Sequence, residues 1–176
     1  MKHHTKIGVV VCIVLILVLA GVQVSAKTVK IGILAPLSHD VGEGQVNAAQ
    51  MAMDRINAQG GVNGNKLELV VGDSEIKPEK AINALKKMVM TDRVDAVVGG
   101  FSSGVVISLM DYISRFQIPF IATASSSNDI SGKVADEYER YKYVFRLMFN
   151  ETSTAEGMID FTLNYLKPKL GVKKIA

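Results

Sequence analysis

Val97-Val98-Gly99-Gly100-Phe101-Ser102-Ser103-Gly104-Val105 decides how this chain is read. A largely apolar run from Val94 to Val98 stops at two glycines. Two serines follow, and then Val106, Leu109, Met110 and Ile113 recur at helical spacing. This predicts a buried strand that enters a helix through a tight Gly/Ser turn. The first turn of a helix carries unpaired N–H donors and partial positive charge, so its natural guest is a carboxylate or phosphate. The same residues also fit a plain connector in which Ser102 or Ser103 only caps the helix.

Outward from this stretch the pattern repeats. Upstream, Val29–Leu34 reads as a strand, Pro36–Gly44 as a loop, and Val46–Ala58 as a helix with Ala49, Ala52, Met53 and Ile56 on one face. Gly60-Gly61 ends that helix in the manner of a left-handed cap, and Asn63-Gly64 forms a turn. Leu67–Val71 is a second strand. Pro78 opens the next helix, where its missing N–H does no harm, and Ile82, Leu85, Met88 and Val89 form its buried face. Downstream, Ile118–Ala122 is a short strand shortened further by Pro119. It runs into the polar loop Thr123–Asp129. Ser131–Tyr141 shows no period and reads as a surface excursion. Tyr143–Met148 is a strand, and Thr154–Leu166 a helix with Met158, Ile159, Leu163 and Leu166 on its apolar face.

Strands alternating with helices imply an α/β fold, a three-layer Rossmann-like lobe with a mostly parallel sheet. Ligands of such sheets sit beyond the carboxyl ends of the strands, where the strand order reverses. Three loops occupy such ends: Pro36–Gly44, Gly99–Gly104 and Thr123–Asp129. All are rich in Ser, Gly or other small residues.

The first 26 residues differ from the rest. Lys2 and Lys6 precede an apolar stretch from Ile7 to Ala20, and Val24-Ser25-Ala26 supplies small residues at a cleavage position, the order of a secretory signal peptide. An uncleaved anchor is the competing reading, because Ile7–Val24 approaches the length of a spanning helix. Cleavage after Ala26 would remove Cys12, His3 and His4, leaving no thiol and His39 as the only imidazole. No metal site and no cofactor is expected from such a set. It would also leave 18 basic against 17 acidic residues, where the whole chain has 20 against 17 and a formal charge of +3. No basic stripe interleaves with aromatics, so nucleic acid is a poor partner.

Two nucleotide readings fail on spacing. Gly99–Gly104 lacks the Gly-Lys-Ser/Thr ending of a P-loop and the Gly-x-Gly-x-x-Gly of a dinucleotide turn. Gly42-x-Gly44 starts the latter, but Asn47 stands where its third glycine belongs. A serine hydrolase elbow would need Gly on both sides of its Ser-containing triplet and a downstream His. Phe101 and Ser103 flank Ser102 between Gly100 and Gly104, but no His follows to serve as its base. Asp40, Glu43, Asp73 and Glu75 fall on polar positions with nothing to favour paired-carboxylate catalysis. Capture without reaction remains; no catalytic residue is expected.

Lys30–Ser38 (KIGILAPLS), Ala52–Gly64 (AMDRINAQGGVNG) and Val97–Ser103 (VVGGFSS) resemble the type I periplasmic binding proteins, and within them the substrate-binding proteins of branched-chain amino acid ABC transporters. The resemblance runs from about Lys27 to Ala176. It implies that Ser103, with Ser102 beside it, donates to a ligand carboxylate. The Ala124 carbonyl and the Ser126 hydroxyl would meet the ammonium and carboxylate, with Ser125 adjacent. Val41 stands where relatives often carry an aromatic ring over the ligand side chain, a departure that puts side-chain preference in doubt. The implied organisation is a signal peptide over 1–26, an N-terminal ligand-binding lobe over 27–150, and a crossover helix with the start of a second lobe over 151–176. Lys173–Ala176 reads as the first residues of that lobe's first strand, and the chain as a truncated product, the product of a split gene, or a fragment of a longer protein. The implied partners are an amino acid and ABC permease subunits, on the outer side of the cytoplasmic membrane. Membrane contact would come only through the permease or an uncleaved signal. A ligand-sensing receptor ectodomain on an uncleaved helix is the alternative.

Overall fold

A computed structural model describes residues 27–174. The leader and anchor readings of 1–26 lie outside the described residues, as do the last two residues of the expected terminal strand; Gly171–Lys174 have no regular structure.

The strands β1 (Val29–Ala35), β2 (Leu67–Asp73), β3 (Ala96–Gly99), β4 (Phe120–Ala122) and β5 (Val144–Arg146) form one sheet. Its order is β2-β1-β3-β4-β5, and every pairing is parallel. The helices are α1 (Asp40–Ala58), α2 (Pro78–Lys87), α3 (Ser103–Phe116), α4 (Asn128–Asp136), α5 (Tyr138–Tyr141), α6 (Glu151–Phe161) and α7 (Lys167–Leu170). Wide turns over Met88–Asp92 and Thr162–Leu166 extend α2 and α6. The α/β class and parallel sheet expected from alternation are therefore present.

Register divides the sheet's side chains between two faces. Leu34, Val97, Phe120 and Val144 share one face, and with Leu85 of α2, Leu109 and Ile113 of α3, and Ile130 of α4 they make the core. Leu34 and Phe120 are fully buried. The predicted faces of α2 and α3 are the ones packed here. On the other face α1 lies over β1 and β2, enclosing an apolar groove of about 260 Å³ between Met53 and Ile56 and the strand residues Ile33, Leu69 and Val98.

Four expectations need correction. Helix α1 starts at Asp40, six residues before the apolar period begins, so the first loop shrinks to Pro36–His39. His39 takes the extended cap position, and Asp40 and Glu43 place negative charge in the first turn, where the helix dipole favours it. Gly42 lets that turn close on the strand end: a Cβ there would sit 2.0 Å from the Pro36 carbonyl oxygen. Val41 is thus a helical residue, not a loop one. Ser131–Tyr141 is not an irregular excursion but lies in α4 and α5, which Ile130 and Tyr141 anchor in the core. The terminal helix begins at Glu151 rather than Thr154, and none of its residues is buried; Met158, Ile159 and Leu163 are exposed. The fourth and fifth strands are shorter than their apolar runs. Pro119 lies just outside β4, and its carbonyl takes the Val97 N–H at 2.9 Å.

Candidate functional site

The strand order reverses between β1 and β3, so the carboxyl ends of β1, β3 and β4 open onto a common edge. The sharpest bend is at Gly99 and Gly100, with φ of +124° and +79°. A Cβ on Gly99 would lie 2.3 Å from the Leu34 carbonyl oxygen. That oxygen accepts the Gly100 N–H at 2.9 Å, so β1 holds the turn directly. The peptide joining Phe101 to Ser102 is cis. Helix α3 then begins at Ser103, with Ser102 extended at the cap position.

Ser102 caps by position only: its side chain makes no capping hydrogen bond. The first bond of the helix runs from Val106 N–H to the Ser102 carbonyl, leaving the N–H groups of the first turn free of helical partners. The neighbouring helices differ. In α4 the Ser127 hydroxyl oxygen accepts the Asp129 N–H, and in α6 the Asn150 side-chain Oδ1 accepts the Ser153 N–H. Of these three helices, α3 is the one with no side-chain cap among the described residues.

The loop after β4 leans on the start of α3. Ser127 N–H donates to Ser103 Oγ at 3.2 Å, which leaves the Ser103 hydroxyl proton to donate elsewhere. Ser125 is buried, and its hydroxyl donates to the Gly100 carbonyl at 3.0 Å. It braces the two loops against each other instead of facing the open edge. Ser102, Ser126 and Ala124 are half-buried on that edge. Among the described residues, no hydrogen bond engages the Ser102 or Ser126 hydroxyl. Val41 is exposed on the first turn of α1. Of the six residues singled out in the sequence, Ser102, Ser103, Ala124 and Ser126 lie on the segments after β3 and β4, Ser125 ties those two segments together, and Val41 lies on the first turn of α1, after β1.

Residues the sequence reading missed frame this edge. Arg146, at the end of β5, donates to the Ser127 carbonyl at 2.9 Å, to the Ser126 carbonyl at 3.4 Å and to the Ser131 hydroxyl. Ser126 O also accepts the Glu151 N–H at 3.0 Å, and the Asn128 side chain donates to Thr152 Oγ1 at 3.0 Å. On the β1 side, one Asp73 carboxylate oxygen accepts Leu37 N–H and Glu75 N–H. A lone charge inside the otherwise apolar run Tyr143–Phe149 is the available signal for Arg146. Among the described residues, no group of three His, Cys, Asp or Glu side chains is placed to hold a metal ion, and no helix is long and apolar enough to cross a membrane. Donors clustered at a helix start, opposite free acceptors, can hold a small zwitterion by hydrogen bonds alone.

A parallel lobe with a polar edge at its reversal point defines a class of ligand-holding α/β proteins. A family model described as periplasmic binding protein matches residues 28–176. The chain belongs to that family, in the type I branch that holds the Leu/Ile/Val-binding proteins, and matches their N-terminal portion. It is 31% identical over 154 residues to the Leu/Ile/Val-binding protein BraC3 of Rhizobium johnstonii, covering 86% of this chain and 40% of that one. Against Leu/Ile/Val-binding protein homolog 7 of Brucella melitensis it is 25% identical, covering 87% and 37%. Among solved structures it resembles the branched-chain amino acid transporter substrate-binding protein LivJ of Streptococcus pneumoniae in complex with isoleucine. That match has a TM-score of 0.66 and 26% identity, covering 82% of this chain and 39% of the other. An ABC transporter substrate-binding protein of Desulfitobacterium hafniense in complex with Leu gives a TM-score of 0.68 and 25% identity, with coverage of 78% and 39%. The chain spans about two-fifths of the length of the relatives it matches. These relatives are named as binding proteins of transporters, not as enzymes.

Proposed function

We propose that this chain forms the N-terminal lobe of an extracytoplasmic solute-binding protein that captures an amino acid and delivers it to an ABC permease. It binds and releases its ligand without altering it. The observation that carries the reading is the uncapped start of α3, where Ser103 Oγ accepts the Ser127 N–H and its own O–H is left to donate to a guest. In this arrangement the first-turn N–H groups of α3 and the Ser102 and Ser103 hydroxyls hold the ligand carboxylate. The Ala124 carbonyl accepts from the ammonium, the Ser126 hydroxyl bridges both, and Val41 borders the side chain. Export by the 1–26 leader places the lobe outside the cytoplasmic membrane, where the permease receives the ligand.

The magnitudes indicate what one lobe can do. Three charge-assisted hydrogen bonds at about 1.5–3 kcal/mol each, set against at least ~4 kcal/mol for immobilising a free ligand, leave roughly millimolar binding. NMR titration of the chain with leucine, isoleucine, valine and polar amino acids tests this. The expected result is millimolar-range shifts of the Ser102–Val105 and Ala124–Ser126 amides, with affinity weakened about tenfold or more in Ser103→Ala. Shifts confined to other surfaces, or none with any amino acid, would remove the reading.

A further inference from the structure

We infer that Arg146 is a positioning residue for ligand-carboxylate recognition, acting through the Ser126–Ser127 peptide to aim the Ser103 hydroxyl. The inference rests on the amino acid reading above and assigns a role to a residue that does not itself face the ligand edge.

The chain of contacts is short. A trans peptide is planar, so the Ser126 carbonyl and the Ser127 N–H point in opposite directions from one rigid unit. The carbonyl side is held twice, by the Arg146 guanidinium at 3.4 Å and by Glu151 N–H at 3.0 Å. The N–H side donates to Ser103 Oγ at 3.2 Å. Occupying one acceptor position of that oxygen keeps the Ser103 proton off the Ser127 side and leaves it to donate elsewhere. The Ser127 carbonyl, bound by Arg146 at 2.9 Å, and the Ser131 hydroxyl fix the next peptide and the start of α4 to the same guanidinium. A planar fork serves three acceptors in fixed directions; an ammonium on a flexible stem does not. Without the fork, the Ser126 carbonyl keeps only the Glu151 N–H and the Ser127 carbonyl loses its guanidinium partner, so the peptide that donates to Ser103 Oγ is held less tightly.

A merely structural role would weaken binding of all ligands alike, whereas aiming Ser103 affects those with a carboxylate. The test is an NMR titration of the full chain with L-leucine and with L-leucinamide, which keeps the ammonium and side chain but lacks the carboxylate. Arg146→Met is expected to weaken leucine about tenfold and leucinamide less than twofold. It should also accelerate amide hydrogen exchange across Thr123–Asp129 without changing exchange in α3. In a Ser103→Ala background, Arg146→Met should add no further loss for leucine. Arg146→Lys should give an intermediate loss, and it carries the test if Arg146→Met does not fold. Equal losses for both ligands, or additive losses in the double variant, overturn the inference. Unchanged leucine affinity in folded Arg146→Met overturns it while the amino acid reading stands. If the wild-type chain binds no amino acid, that reading fails, and with it the carboxylate role; loop exchange then shows whether Arg146 still orders the loop.

Discussion

The two faces of the sheet are built to different standards. On the face of α2, α3 and α4, Leu34, Val97, Phe120 and Ala122 are entirely buried. On the face of α1, Val98 and Ile121 are half-buried, while Phe145 and Leu147 are 54% and 75% exposed. Topology explains the imbalance. Crossovers between parallel strands are right-handed, so the direction of travel along the sheet decides which face receives the connecting helix. The steps β2 to β3, β3 to β4 and β4 to β5 go one way and stack their helices on one face. Only the step from β1 to β2 goes the other way, and it leaves α1 alone over β1 and β2. Parallel sheets are ordinarily covered on both sides. The elements described here finish one face and leave the β3–β5 half of the other open.

The sharpest way to break this comparison is a matched pair of truncations. Phe120→Ala should cost about 3–5 kcal/mol in urea unfolding, as for a fully packed ring. Phe145→Ala, on the neighbouring strand but the open face, should stay within about 1 kcal/mol. Similar losses would mean that both faces are packed in solution. Next in size, Gly99→Ala combines a left-handed backbone with a Cβ driven against the Leu34 carbonyl, and should cost more than about 1 kcal/mol by the same measurement. A cost near zero would show that the β3 turn is not held as described.

A smaller effect separates brace from edge. Ser125→Ala removes a buried hydrogen bond to Gly100 and leaves its carbonyl unpaired, a loss of about 1–3 kcal/mol. Ser126→Ala, on the exposed side of the same loop, should leave thermal stability unchanged and alter only ligand titration. The smallest effect concerns pH. Hydrogen bonds from Lys77 and then Lys80 hold the Glu75 carboxyl below its ordinary value of 4.5. A depressed carboxylate contributes stability above its unfolded pKa and loses it as pH falls through the folded value. Glu75→Gln should therefore flatten the acid limb of the stability profile slightly below pH 4.5 while leaving neutral pH nearly unchanged. Salt should weaken the wild-type difference, because the pairs are solvent-exposed.

What the sequence disclosed follows the same division. Elements that bury an apolar stripe announced themselves: Leu85 in α2 and Met88 in the turn that extends it, and Val106, Leu109 and Ile113 in α3, recur at the helical period and are buried. The start of α1 was hidden because its first turns carry Asp40, Gly42, Glu43 and Gly44, chosen by capping charge and close approach rather than by hydrophobicity. In α4, Ile130 and Val134 mark a stripe too sparse to stand out among polar residues. The serine loops were visible as a cluster, but a hydroxyl's direction is not written in its identity. Ser125 and Ser126 are adjacent and alike, and one turns inward while the other faces the edge. Arg146 was read as part of a strand because its partners, Ser126, Ser127 and Ser131, are brought to it only by the crossover.

The Ser126 carbonyl has one more consequence. Since it accepts the first N–H of α6, the loop that would touch the ligand is also the bearing on which the outgoing helix sits. From Glu151 to Leu170 that helical run is about 30 Å long at 1.5 Å per residue. A tilt of roughly ten degrees at its base would sweep the far tip through about 5 Å. A displacement too small to notice at the serine becomes, at the other end of the lever, a movement as large as a side chain.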